Sequence, residues 1–584
     1  MTNVIYNDEY NYIYTVWYKY IIKIFIMISH RIDWRKMISA TKVRAYLLND
    51  PLVDWLKEYH INNITDKPIK LKPDYNNNYN TNNKKCDNYI LNQGIEFEKQ
   101  VMKILKNKFQ VVTINSNVRS VYNYNKTLEY MKKGYEIIYQ GVLHDYNNNL
   151  YGSPDLLVRS DRINEIFEYN VYNQSDYNQS NSDYFYVIVD IKSSTLKFAS
   201  NGVNLLNSGS IPAFKGQLYI YNKMLNNIQN VKYDKAFILG RRWTQTQCGN
   251  NYSGDNYMNV LGTIDYGGYD SKYINLVDDA IKWIKYMRKE GHNWSLLPSP
   301  SNEYLYPNMK NHDDYYRLKK ELDTNINELT SVWMISYNKR KIAHKKKVYS
   351  WKDRKCNSKL LEFKQGKTSK LLDKMLNINR QSVKIIDCNK INCDVFKKPS
   401  IYIDFETINS IGDNTECIYM IGIYFKLNDK YQYKCFYMEN YDDELNNMNR
   451  FFNFIDNNHY NDIHYIHWTH AEPSMYKRFC ERHNYKREIN FYDLHKLFID
   501  NNIVIKGALN FSLKTVANCL YNYGKIQTNW DDSKYSNGLD SMFGAIEYYN
   551  DTTKKDIINE IIKYNRVDCV VMKEIVDYLM VYHN

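Results

Sequence analysis

Two regions of the sequence space acidic residues as a divalent-cation site would need them. In YVIVDIK (186–192) an apolar run ends on Asp190, with Lys192 two residues further on. Residues two apart on a strand share a face. Upstream, LYGSPDLLV (150–158) carries Asp155 just after a bend at Gly152 and Pro154. GIEFEKQVMKIL (94–105) opens an amphipathic helix with Phe97, Val101, Ile104 and Leu105 on one face and Glu98 beside it. Two carboxylates and a lysine meeting at strand ends suit metal-assisted phosphodiester hydrolysis. The carboxylates hold Mg²⁺, the metal lowers the pKa of its bound water, and the lysine orients that water or offsets charge on phosphorus. Far downstream, IYIDFET (401–407) ends an apolar strand with Asp404 and Glu406 two apart. YNRVDC (564–569) sets Tyr564 and Asp568 four apart on one helical face. Three or four converging carboxylates bind two divalent ions ~3.5–4 Å apart, and Tyr564 would hold the attacking water. The middle acid is Glu472 in WTHAE; its rival, Asp493, reads as a structural strand-end acid.

These side chains need a frame. Residues 399–584 read as three strands (401–407, 417–426, 431–438), a helix (442–457), a strand (462–468), a helix (471–483), a short strand (489–493), then helices. That is the order of an RNase H-like sheet. The first region alternates helix and strand as well. Residues 62–92 are Asn-rich with two prolines and read as a loop. His464, His467 and His470, spaced by three, read as core or surface residues, because positions three apart on a strand face opposite ways.

Residues 38–240 resemble the PD-(D/E)XK nuclease superfamily in its RecB-type branch, through Glu98, Asp155, the Asp190-x-Lys192 pair and the downstream Gln217-x-x-x-Tyr221. The resemblance implies Glu98, Asp155 and Asp190 as metal ligands and Lys192, Gln217 and Tyr221 as catalytic residues. Relatives often carry His just before the helix carboxylate; here Phe97 stands there, and Glu96 competes with Glu98. CRISPR-associated relatives hold an iron–sulfur cluster through one early and three late cysteines. Here the early position reads Asn49-Asp50-Pro51 and only Cys248 appears late, so no iron–sulfur cluster is expected. Residues 399–584 resemble the tyrosine-containing DEDD exonucleases (DEDDy), in particular the YprB-like subgroup found fused to RecB-type nucleases. The stretches that carry this are YIDFET, YIHWTHAEPSMYKRF, FYDLHKLF, NFSLKTV and YNRVDC. It implies a 3′–5′ exonuclease with Asp404, Glu406, Glu472 and Asp568 as metal ligands, Tyr564 as a catalytic residue and Lys514 as a phosphate contact. Mg²⁺ or Mn²⁺ is expected at both sites.

The expected fold class is therefore α/β: a restriction-endonuclease-like PD-(D/E)XK domain and an RNase H-like domain joined by a helical linker. The expected divisions are an apolar extension (1–37), the first nuclease domain (38–295, with a polar insertion near 168–184), a basic linker (296–398) and the second nuclease domain (399–584). The expected substrate is DNA, as single strands or ends. RNA is the alternative, since DEDD chemistry does not require a deoxy sugar; a nucleic-acid binder with one or both sites silent is the other.

Composition agrees with a nucleic-acid partner. The 584 residues carry 78 Lys and Arg against 65 Asp and Glu, a net charge of +13. Residues 339–374 alone hold 14 basic and 3 acidic residues, or +11. Within it Lys345, Lys346, Lys347, Lys352 and Arg354 are expected to contact phosphates and Trp351 to stack on bases. The hydrophobic share of 44% and charged share of 24% exclude a wholly disordered or collagen-like chain. The 58 tyrosines, with abundant Asn, Lys and Ile, read as AT-rich coding of the kind found in giant DNA viruses or protists. Only 10 cysteines, none in a C-x-x-C pair, argue against a disulfide framework and for a reducing, intracellular compartment, nuclear or cytoplasmic, or a viral replication compartment. The apolar stretch 12–29 is broken by Lys19 and Lys23 and reads as a buried or interfacial helix, so no membrane partner is expected. No Walker A sequence is present, so ATP-driven unwinding would need a partner helicase. Oligomeric state is not legible.

Overall fold

The computed structural model describes residues 32–60, 77–114, 117–167, 183–381, 383–389, 391, 394–409, 416–458, 463–535 and 537–582. The apolar stretch 12–29 and most of the polar insertion (168–182) lie outside the described residues. Among the described residues, no helix is long and apolar enough to cross a membrane. The chain forms two compact units, the first holding residues up to 71 and 88–306, the second residues 72–87 and 307–584.

The first unit is built on a mixed sheet. Its strands lie in the order Leu261–Asp265, Lys235–Gln247, Tyr186–Phe198, Leu156–Arg159, Ile137–Tyr139 and Val111–Thr113, with Asn250–Gly254 paired to Lys235–Gln247. Tyr186–Phe198 is central, and every residue from Tyr186 to Ile191 is buried, as a continuous Val/Ile run requires. It runs antiparallel to Leu156–Arg159 and parallel to Lys235–Gln247. A parallel step needs a crossover, which the helix Ile211–Gln229 supplies. The helix Asn77–Lys108 brings Phe97, Val101, Met102 and Leu105 into the same core.

Two local expectations are corrected here. LYGSPDLLV is not one bent strand: Leu150–Gly152 and Leu156–Arg159 belong to two different sheets. Pro154, between the two strands, cannot extend a ladder, and Gly152 leaves room for the Tyr221 ring, which an added Cβ would strike. The Asn-rich loop expected over 62–92 gives way to helix from Asn77 onward. After Pro73 no proline or glycine interrupts the chain before Gly94, so composition misled where helix breakers were absent.

The second unit holds a five-stranded sheet in the order Lys430–Tyr437, Glu416–Leu427, Ser400–Asn409, His464–His467, Phe491–Asp493. The first three are antiparallel; His464–His467 and then Phe491–Asp493 add in parallel. Each parallel step is bridged by a helix, Glu444–Asn457 and then Ala471–His483. The helix Lys555–Tyr582 completes the chain's packing onto strands Ser400–Asn409 and Glu416–Leu427. The segment expected as a linker divides differently. From Pro307 it clusters with this unit, and Leu329, Val348, Leu371 and Leu376 share one core with Trp468, Phe498, Val571 and Ile575.

Candidate metal centres

In the second unit, Asp404 and Glu406 alternate onto one face of the strand Ser400–Asn409, and the pairing register shifts immediately after Glu406. Such irregularities re-aim side chains and are frequent beside active sites. Asp404 pairs across the ladder with Gly422. A Cβ at 422 would collide with the Asn565 side chain, so the bare backbone lets the helix Lys555–Tyr582 lay Asn565 over the strand. Asn565 Nδ2 donates to Asp404 Oδ2 at 2.7 Å, and the Tyr433 hydroxyl donates to Asn565 Oδ1 at 2.8 Å. Ser541 Oγ donates to Glu406 Oε2 at 2.9 Å. One turn beyond Asn565, the same helix contributes Asp568. One oxygen from each of Asp404, Glu406 and Asp568 lies within 4.8 Å of the others, and this is the one such group of three among the described residues.

Three carboxylates this close cannot all ionise cheaply. Burial and the neighbouring Asp568 push Glu406 up to about 8. Burial, with Glu472 adding to it and Lys514 opposing it, pushes Asp568 up to about 7. Burial and the charges of Asp568, Glu406 and Glu472 hold Asp404 well above the carboxylate range. Oxygen donors alone, in excess of local positive charge, fit a hard divalent ion such as Mg²⁺ or Mn²⁺.

Glu472 is 5% exposed and sits 3.2 Å from His467 Nδ1. Its charge acts on both Asp404 and Asp568. Asp493 instead accepts the backbone N–H groups of Thr469 and Lys496, each at 3.1 Å, and caps the helix Leu494–Asp500. Tyr564 is buried, and its hydroxyl accepts from Lys514 Nζ at 3.0 Å. Of the three spaced histidines, His467 is the one drawn into this neighbourhood. Asn565 and Ser541 were not anticipated. Asn565 had a signal, since it shares the helical face of Asp568 three residues on; Ser541, in an unpatterned segment, had none.

Residues 401–580 match a family model described as the RNase_H superfamily. Over that range the chain is similar to the RNase_H superfamily. The matched range includes Asp404, Glu406, Glu472, Lys514, Tyr564 and Asp568. No curated protein and no solved structure matches the chain.

The first unit also gathers its expected residues. Ile191 N donates to Asp155 Oδ2 at 2.7 Å, and Asp155 N donates to Asp190 Oδ1 at 3.4 Å. Lys192 Nζ pairs with Asp190 and lies 3.7 Å from Asp155 Oδ2. The ladder register shifts just after Lys192, as it does after Glu406. Burial and the Asp190 charge raise Asp155 well above the carboxylate range, with Glu98 adding to the effect. Burial opposes the Lys192 charge, but Asp190 and Asp155 outweigh it and hold the ammonium above its ordinary range. Glu98 is fixed by the Tyr139 hydroxyl, which donates at 2.8 Å, whereas Glu96 is exposed and paired with Lys99. Gln217 Nε2 donates to the Tyr221 hydroxyl at 3.0 Å, and Tyr221 is buried within electrostatic reach of Asp190. Here an ammonium sits between two of the carboxylates.

The basic stretch is part exposed and part buried. Lys345, Lys347, Lys352 and Arg354 are exposed, and Lys346 pairs with Glu362 at 2.9 Å. Trp351 does not stand out for base stacking: it is 8% exposed and lies in the hydrophobic core. Arg380 Nε donates to its carbonyl at 2.7 Å. A large aromatic in a mostly polar run is here the anchor that fastens the run to the unit.

Proposed function

We propose that the protein is a two-site, metal-dependent nuclease that hydrolyses phosphodiester bonds in DNA, as single strands or ends. The RNase H-like domain is the 3′–5′ exonuclease, and the first unit is a RecB-type PD-(D/E)XK nuclease. The observation that carries the reading is the convergence of Asp404, Glu406 and Asp568, with Tyr564 and Glu472 beside them, inside an RNase H-superfamily match. When bound, divalent ions at such carboxylates supply Lewis acidity and a more acidic water. Asp404, Glu406, Asp568 and Glu472 hold the ions. Asn565 and Ser541 fix the orientation of Asp404 and Glu406. The Tyr564 hydroxyl, held by Lys514, orients the attacking water. In the first unit Glu98, Asp155 and Asp190 are the ligands, and Lys192, Gln217 and Tyr221 position water and phosphate. Lys345, Lys346, Lys347, Lys352 and Arg354 lead the backbone of the strand. A partner helicase would supply ends from duplex.

The test is degradation of end-labelled single-stranded DNA, duplex DNA and single-stranded RNA with Mg²⁺ or Mn²⁺. Asp404→Ala and Asp190→Ala are each expected to abolish one of two separable activities. No loss from either variant would overturn the reading, and faster cleavage of RNA would replace the substrate.

A further inference from the structure

Lys514 brings a positive charge to the rim of the acidic pocket. It lies on the helix Leu513–Asn522, its stem half-buried, and its ammonium is 3.0 Å from the Tyr564 hydroxyl. Nζ also rests 4.5 Å from the Tyr564 ring centre and 5.4 Å from that of Trp530. The groups it acts on electrostatically are Asp568, Glu406 and Asp404, the three converging carboxylates, together with Asp540. A half-buried lysine whose charge acts on two buried carboxylates and the half-buried Asp404 offsets charge that water reaches poorly. The same ammonium fixes the hydroxyl of Tyr564. Two roles that are separable in principle are thus joined in one side chain.

We propose that Lys514 is a positioning residue that acts in two ways. It is an internal counter-cation that competes with divalent ions for the carboxylates, and it is the donor that fixes the Tyr564 hydroxyl for catalysis. The inference rests on the reading of this pocket as a metal-dependent nuclease site. The two roles push in opposite directions when the residue is removed. Without the ammonium, the carboxylates attract a divalent ion more strongly. Without the donor, the tyrosine hydroxyl loses one of the two groups that hold it, Asp568 being the other, and turnover falls. A residue that merely supported the fold would weaken binding and turnover together.

The experiment uses the full chain and its Lys514→Met, Lys514→Arg and Asp404→Asn variants. Mn²⁺ binding is measured by calorimetry and by the Mn²⁺-induced rise in Tm; exonuclease turnover is measured at saturating Mn²⁺. Lys514→Met is expected to bind Mn²⁺ about tenfold more tightly, as loss of one nearby like charge implies. It is expected to melt lower than wild type without metal, to show a larger metal-induced rise, and to lose turnover in kcat rather than KM. Lys514→Arg restores affinity and the metal-free Tm to near wild type. Should Lys514→Met fail to fold without metal, Mn²⁺ is expected to rescue its folding, and absence of rescue overturns the proposal. Equal or weaker binding by Lys514→Met in the part of the Mn²⁺ response that Asp404→Asn removes overturns it while leaving the metal site standing. No metal response in wild type overturns the metal reading and this inference with it.

Discussion

Asn565 Nδ2 donates to Asp404 Oδ2 at 2.7 Å while its own Oδ1 accepts from Tyr433 at 2.8 Å. The amide therefore cannot rotate without losing a bond on each side, and the carboxylate it holds is fixed from outside the metal site. Asn565→Ala is expected to leave the fold intact and to lower metal-dependent nuclease turnover by about 10–100-fold, the usual cost of removing a ligand's supporting bond. Steady-state kinetics with Mn²⁺ check this, and unchanged turnover would contradict it.

Gly422 faces Asp404 across the ladder, and its missing side chain makes room for Asn565. Gly422→Ala forces the helix bearing Asn565 and Asp568 away from the strand. Overpacking of this kind costs about 1–3 kcal/mol. Urea unfolding is expected to register that loss, and nuclease activity is expected to fall alongside it.

Metal-free stability should depend on pH in a defined direction. Folded, Glu406 keeps its proton up to about 8 and Asp568 up to about 7; in the unfolded chain such groups release theirs near pH ~4. The native state then binds more protons across that window, so the stability these groups contribute is full below about pH 4 and is lost as pH rises through about 7–8. With chelator present, the denaturation midpoint is expected to fall from about pH 5 to about pH 8. A Glu406→Gln and Asp568→Asn double variant is expected to flatten the fall, and Mn²⁺ to reverse it at the alkaline end. A midpoint that rises over this range, at chelated wild type, would contradict the arrangement.

At the first centre, Lys192 sits between Asp155 and Asp190, with 20% of its side chain exposed. Lys192→Met leaves two largely buried carboxylates facing each other. Removing one partner of a buried pair costs about 3–5 kcal/mol, and partial exposure here brings the expectation to about 2–3 kcal/mol. Adding Asp190→Asn to the same chain is expected to recover part of that loss, which chemical denaturation of the three proteins would reveal.

The basic stretch separates into an anchor and a contact surface. Trp351→Ala is expected to destabilise the second unit by about 3 kcal/mol, as large-to-small core changes do. Lys345, Lys347, Lys352 and Arg354 replaced together by Ala are expected to spare Tm. They should instead lower the slope of log affinity against log salt for single-stranded DNA by up to about 3. Fluorescence anisotropy across a salt series distinguishes the two, and an unchanged slope would remove these residues from the path of the strand.

The legibility of the chain varied with its local physics. The second unit's strands and first two helices follow hydrophobic alternation so closely that Ala471–His483 is recovered as read and Ser400–Asn409 lies within two residues of its expected bounds. Carboxylate spacing on strand and helix likewise named Asp404, Glu406 and Asp568. What sequence could not give was tertiary. The buried stripe of Lys555–Tyr582 runs through Ile558, Ile561, Asn565, Asp568 and Met572, so polar residues of the pocket share the packed face with apolar ones. Trp351 looked like a contact residue because its neighbours are basic; only the core shows that its ring faces inward. Asn-rich composition hid the start of Asn77–Lys108, since abundant Asn reads as loop yet adds no proline or glycine to break a helix.

The order in which the acidic pocket's parts are made has its own consequence. Asp404 and Glu406 leave the ribosome on an early strand of the second unit, whereas Asp568 arrives on its final long helix. Until that helix is synthesised and docks, only two of the three converging side chains exist. A nascent chain therefore carries no assembled group of three carboxylates in this unit, and any metal-dependent cleavage there would begin only once the helix Lys555–Tyr582 has docked.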